Sequence, residues 1–178
     1  MRIWVRGGTG TGKSTLARQL AERHGIKHVE LDNLLWLPNW GERNLEDFRA
    51  LVAKEVEVDD WVVDGNYTPG VTDLVLPRAD VIVWLDYSFL RTMGRLLTRT
   101  CKRLARKELC CNGNRERFWI HFTHMGLPWW LIVSFRRRRR QCDALMSDPS
   151  LGHIRCIRVT NPQQVEALLE DVLQEPTR

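Results

Sequence analysis

Short apolar runs and stretches of helical period alternate along this chain. Arg2–Val5, His28–Leu31, Trp61–Val63, Ala79–Leu85 and Ile154–Val159 have the length and character of buried strands. Between them, apolar residues recur at 16, 17, 20 and 21, and again at 45, 48, 51, 52 and 56, the spacing of a helix with one buried face. The second of these predicts a helix from about Leu45 to Glu57. Leu34–Trp40, with Pro38 and Gly41 as punctuation, reads as an apolar, tryptophan-rich loop. Ser88 is a suitable N-cap for a helix reaching about Lys107, and Gly113 breaks the pattern. Helical stretches are expected over about Glu116–Met125 and from about Pro128 into the Arg136–Arg140 run. Pro162–Leu173 closes the chain as a helix with Pro162 in its first turn. Strands alternating with helices predict an α/β fold, a parallel sheet covered on both faces. The 178 residues suffice for one domain with a core of its own.

The first strand and first helix are joined by Gly7-Gly8-Thr9-Gly10-Thr11-Gly12-Lys13-Ser14, which fits the P-loop pattern G-x-x-x-x-G-K-[ST]. Strand, loop and helix are the context that this motif needs. Glycines let the backbone wrap a phosphate chain, whose charge meets inward N–H groups and the positive end of the helix. Lys13 can reach the β- and γ-phosphates, and Ser14, followed by Thr15, can ligate Mg²⁺. A nucleotide with Mg²⁺ is therefore the expected ligand.

In parallel sheets ligands sit at the carboxyl ends of the strands. Asp32, Asp64 and Asp86 each follow a predicted strand. Asp64, after Trp61-Val62-Val63, stands where an acid that holds Mg²⁺, in part through water, usually stands. Asp32 could touch the metal's water shell or take the proton of an acceptor hydroxyl. The alternative for each is a strand-end or helix-capping carboxylate, and for Asp86 a cap of the Ser88 helix.

Charge changes the picture for the second half. The chain nets +5, but residues 91–140 hold fourteen Lys/Arg against two Asp/Glu, so the remainder is acidic. Arg91, Arg95, Arg99, Lys102, Arg103 and Arg106 share one helix face. Arginine forks suit phosphate oxygens, and Arg95 and Arg99 are candidates for stabilising a transferring phosphoryl group. The alternative is a solvated basic face. Five consecutive arginines, 136–140, cannot all face one ligand; one or two could close over phosphates. Trp129–Val133 is expected to pack inside the fold rather than lie on a membrane surface.

No run is long enough to span a bilayer; Leu127–Phe135 is too short. With the P-loop starting at residue 7, no secretory leader is expected in front of it. The five cysteines, odd in number and irregularly placed, read as reduced thiols of a cytoplasmic protein. Cys110-Cys111 with His121 and His124 lack the usual zinc spacing, and thiols that pack or lie on the surface are the expectation.

The P-loop at 7–14, Leu31-Asp32, Asp64-Gly65-Asn66-Tyr67, Trp84-Leu85-Asp86 and Gly113-Asn114-Arg115-Glu116 together resemble the P-loop kinase-like proteins known as DNA topology modulation proteins. These are in turn similar to adenylate kinase and shikimate kinase. The resemblance covers the chain from Met1 to about Leu173. It implies a three-layer P-loop NTPase fold with a five-stranded parallel sheet in order 2-3-1-4-5 and a helical lid insertion. It also implies an acceptor-binding segment over 33–59 and a lid-like basic region over 103–140. By the same resemblance Arg95 and Arg99 sit at lid entry, Arg137 or a neighbour at lid exit, and Asn161 where such kinases hold the adenine.

The leading expectation is thus an ATP-dependent phosphotransferase with an unidentified acceptor. Two rivals remain. One is a nucleotide-dependent regulator that binds nucleic acid through the basic 91–140 region. The other is an ATPase switch acting on a protein partner.

Overall fold

The computed structural model describes residues 1–67, 70–115 and 126–171. Its main sheet has five strands: β1 (Arg2–Gly7), β2 (Lys27–Glu30), β3 (Trp61–Asp64), β4 (Val81–Leu85) and β5 (Arg155–Val159). All pairings are parallel and the order is 2-3-1-4-5. In register, Val5 of β1 lies beside Asp64 of β3, and Gly7 beside Leu85 of β4. β1 is therefore central, and the loop after it opens at the middle of the sheet's carboxyl edge.

The strands read as continuous apolar runs because both faces are buried, yet side chains still alternate. Ile3 and Val5 of β1, with Val62, Val83 and Leu85, pack on one face against Leu16, Ala17 and Leu20 of helix α1 (Lys13–His24) and Leu168 and Leu169 of helix α7 (Gln163–Asp171). Trp4, Trp61, Val63 and Ile82 point to the other face, onto Phe48, Val52 and Val56, which belong to or follow helix α3 (Leu45–Glu55), and onto Val71 and Val75. Helices thus cover both faces, as expected, and the three-layer P-loop architecture is present.

Several local expectations shift. Leu31 leaves the second strand and begins a short helix, α2 (Leu31–Leu35), because Leu31 and Leu35, one turn apart, both turn into the core. The tryptophan-rich loop is a hairpin, Trp36–Leu37 paired with Gly41–Glu42 around the turn Pro38–Trp40. Helix α4 (Thr72–Val75) follows β3 and buries Val75. Helix α5 (Phe89–Arg106) starts as expected, with Ser88 accepting a hydrogen bond from the Arg91 N–H at 3.4 Å. Gly113 sits in a small hairpin, Leu109–Cys110 with Asn114–Arg115. Helix α6 runs from Leu127 to Met146, past the arginine run. The stretch expected as a helix over 116–125, including His121 and His124, lies outside the described residues, as does the chain after 171.

One expectation is overturned. Of the Trp129–Val133 stretch only Leu131 is buried; Trp129, Trp130, Ile132 and Val133 are 41–51% exposed. A helix presents one stripe to its neighbours, and on α6 that stripe is Leu131, Ser134 and Cys142. Consecutive apolar residues cannot all share it.

Candidate functional site

The loop after β1 is held open by backbone conformations that side chains rarely adopt. Gly10 and Gly12 have φ of 87° and 96°. A Cβ at Gly10 would lie 2.9 Å from Cβ of Leu96, and one at Gly12 would lie 2.8 Å from the Arg95 guanidinium. Only glycine allows α5 to approach the loop this closely. Gly12 caps α1 without any side-chain hydrogen bond, so no side chain covers the first N–H groups of that helix. Thr11 tightens the loop by donating from Oγ1 to the Gly8 carbonyl at 2.8 Å, and Lys13 Nζ donates to the same carbonyl at 3.1 Å.

The loop is pinned to β3's exit by Asn66. Its carboxamide oxygen accepts from the Gly7 N–H at 3.2 Å, and its amide donates back to the Gly7 carbonyl. Lys13 sits among charges of both signs. Burial drives its ammonium below the ordinary lysine range; Asp64 and Asp32 oppose this, while Arg138 and Arg99 reinforce it. Asp64, buried at the end of β3, is in hydrogen-bond contact with His28 Nε2 at 3.2 Å.

Asp32 reaches this centre from α2. Its Oδ1 accepts the hydroxyl hydrogen of Tyr67, whose pKa burial first, then the Asp32 charge, pushes far above the usual phenol value. Arg138 of α6 completes the group, within electrostatic reach of Lys13, Asp32 and Tyr67, with burial lowering its pKa.

The remaining expected residues fall in different places. Arg95 and Arg99 lie on α5 beside the loop, Arg95 against Gly12 and with its guanidinium 5.7 Å from the Tyr87 ring centroid. Ser14 and Thr15 open α1 on its exposed side. Asn161 caps α7: its Oδ1 accepts from Gln164 N–H at 3.1 Å, while Gln164 Oε1 accepts from the Thr160 and Asn161 N–H groups. Asp86 is a structural anchor. It accepts from Arg139 at 3.0 Å and from Arg158 Nε at 2.9 Å, which ties α6 to β5.

The arginine run therefore divides by helical period. Arg138 faces the site, Arg139 binds Asp86, and Arg136, Arg137 and Arg140 are exposed, with Arg137 over the Trp130 ring at 5.9 Å. Among the described residues no three His, Cys, Asp or Glu side chains form a metal cluster, and no helix is long and apolar enough to cross a membrane.

Over this centre two hairpins meet. Asn112 donates from its backbone to Asn33 Oδ1 at 3.1 Å and from its amide to the Trp36 carbonyl at 3.1 Å. Asn114, buried, donates to the Leu37 carbonyl at 2.9 Å and accepts from the Trp40 N–H at 2.8 Å. Trp40 Nε1 donates to the Arg115 carbonyl at 3.0 Å. Sequence reasoning did not single out Tyr67, Asn66, His28 or Asn114 for these tasks. Only the Asp64-Gly65-Asn66-Tyr67 and Gly113-Asn114-Arg115-Glu116 signatures marked some of the positions.

Comparison with known proteins agrees with this architecture. The chain aligns over 97% of its length with shikimate kinase from Acinetobacter baumannii, solved with shikimate, at a TM-score of 0.55, 18% identity and 90% of that chain. A gluconokinase from Sinorhizobium meliloti 1021 aligns over 97% of this chain and 89% of its own, at a TM-score of 0.54 and 19% identity. The fold is that of the P-loop kinases. Among curated proteins, the chain is 26% identical over 117 residues to YqaC, an uncharacterized protein of Bacillus subtilis (strain 168). It is 32% identical over 94 residues to guanylate kinase of Neisseria gonorrhoeae (strain ATCC 700825 / FA 1090). The chain spans 65% and 46% of the length of these two relatives. No family model matches it.

Proposed function

We propose that this chain is a P-loop phosphotransferase that moves the terminal phosphoryl group of ATP to the hydroxyl of an acceptor. The observation that carries the reading is the convergence of Lys13, Asp32, Tyr67 and Arg138 on one centre, with Asp64 close by. A P-loop that only switched conformation on hydrolysis would not need a carboxylate positioned by a half-buried phenol opposite its lysine.

The roles follow from the chemistry. The loop 7–14 and the head of α1 bind the donor's phosphates through backbone N–H groups. Ser14 and Asp64 would hold Mg²⁺, a hard cation suited to hydroxyl and carboxylate oxygens, which offsets phosphate charge when bound. The uncapped head of α1 beside Lys13 and the buried acid at the adjoining strand end are the donor set that such a pair requires. Asp32, held by Tyr67, takes the acceptor's proton as the hydroxyl attacks. Lys13, Arg95 and Arg99 stabilise the charge spread over the transferring group's oxygens. Asn161, at the end of β5, borders the base of the nucleotide. The segment 33–59 holds the acceptor, and the region 103–140 acts as the lid, with Arg138 as the arginine that it returns to the site.

The test is ADP release from Mg·ATP by the purified protein, alone and with nucleoside monophosphates, nucleosides and small hydroxylated metabolites. One acceptor class should raise turnover well above the basal rate, and the Lys13→Ala variant should lose that gain. ATP binding with no acceptor effect across the panel would overturn the reading.

A further inference from the structure

One concavity of the described chain lies away from the acceptor side. It is a groove of about 670 Å³ along α5, lined by Arg91, Arg95, Arg99, Lys102, Arg103 and Arg106, with Leu90, Gly94, Thr98 and Glu108 between and beyond them. Six of its ten lining residues are cations and one is an acid. That acid is spent near one end, 3.5 Å from Arg106. From Arg91 to Arg106 the cations extend for about 22 Å along the helix, with successive ones one to four residues apart. A mononucleotide at the P-loop engages the part beside Gly12 and Lys13, where Arg95 and Arg99 lie. Phosphoryl transfer at the loop gives no reason to continue the row about two turns further.

We propose that this groove binds the phosphate backbone of a single-stranded nucleic acid. Three features select that occupant. The lining is mostly arginine, whose forked donors match phosphate oxygens better than a lysine row would. The cations share one broad face of a single helix within a concavity, which suits one flexible chain of phosphates. The row runs directly into the P-loop, so polyanion and nucleotide phosphates share Arg95 and meet at one place. Nucleotide and strand therefore weaken each other's binding. The inference stands on the groove alone and does not need the kinase reading.

The test is fluorescence anisotropy of a labelled oligothymidylate with the full chain in the absence of nucleotide, across a salt series. If all six cations contact phosphate, log affinity against log salt should fall with a slope near −4, about −0.7 per contact. The triple variant Arg91→Gln, Lys102→Gln, Arg106→Gln removes three exposed cations outside the phosphotransfer centre. Its slope should drop to about −2, with affinity at least ~10-fold lower at ~50 mM salt. The pair Arg137→Gln, Arg140→Gln on α6 should bind as the parent does. Mg·ATP should displace the oligonucleotide.

A triple variant with the parent's slope overturns the proposal, as does equal loss in the α6 pair. Duplex or inorganic polyphosphate binding as tightly as the single strand overturns the choice of occupant. Because the three positions are exposed, unchanged thermal melting separates lost contacts from lost folding.

Discussion

The proposed donor side and the proposed acceptor side of the centre are built in opposite ways. The donor side is one contiguous stretch, β1, the loop 7–14 and the head of α1, and its geometry is set by glycines that lie next to one another in sequence. The acceptor side is gathered from α2, the end of β3, the hairpin over 109–115 and α6, which bring Asp32, Tyr67, Asn114 and Arg138 together from more than one hundred positions of chain. Local construction fixes what is common to nucleotide-binding loops. Assembled construction is where two chains of one fold come to differ in acceptor, because each contributing segment can change without disturbing the loop.

The difference makes substitutions on the two sides fail differently. Lys13→Ala should cost the most, about 10³-fold in acceptor-stimulated turnover, since it removes the loop's cation proposed to meet the transferring group. The readout is kcat from coupled ADP release. Arg138→Gln should act on the other side, raising the acceptor's KM about 10- to 100-fold while the KM for ATP moves little; equal changes in both would merge the two sides. Arg138→Lys should restore only part, because a point charge lacks the guanidinium's fork.

Smaller effects belong to the scaffold. Asn114→Ala strands the Trp40 N–H and the Leu37 carbonyl, and should cost about 1–3 kcal/mol, with faster hydrogen exchange at Trp40 and a looser acceptor side. Asp80 is held far from either site. Burial alone would raise its pKa, but hydrogen bonds from the Arg2 side chain and backbone N–H hold it below the ordinary carboxylate value. A carboxylate with a depressed folded-state pKa contributes stability above its unfolded value, near pH ~4, and loses it as pH falls through the folded value. Asp80→Asn should therefore lower neutral-pH stability by about 1 kcal/mol and flatten the acid limb of a pH–stability curve, with activity unchanged.

The same contrast explains what could be read in advance. The sheet was legible because each strand, buried on both faces, is a bare apolar run next to a helix-period stretch. The P-loop was legible because its chemistry is written in adjacent residues. Arg138 was legible only as one of five arginines: which of them turns inward depends on the phase of α6, set by Leu131, Ser134 and Cys142. Tyr67 sat inside a recognised stretch, yet nothing local says that its hydroxyl meets Asp32, which lies 35 residues earlier. The exposed Trp129, Trp130, Ile132 and Val133 mark the opposite failure, since composition said buried and helical phase said otherwise. The pairing of the 36–42 and 109–115 hairpins through Asn112 and Asn114 was invisible, because asparagines in turns are ordinary.

The most direct test compares Asp32→Asn with the parent chain in two assays, equilibrium binding of Mg·ATP and acceptor-stimulated ADP release. If Asp32 belongs to the acceptor side as its base, ATP affinity stays within about twofold while stimulated turnover falls about 10²- to 10⁴-fold. Loss of ATP binding, or turnover that survives the substitution, would contradict the division of the centre into a donor side and an acceptor side.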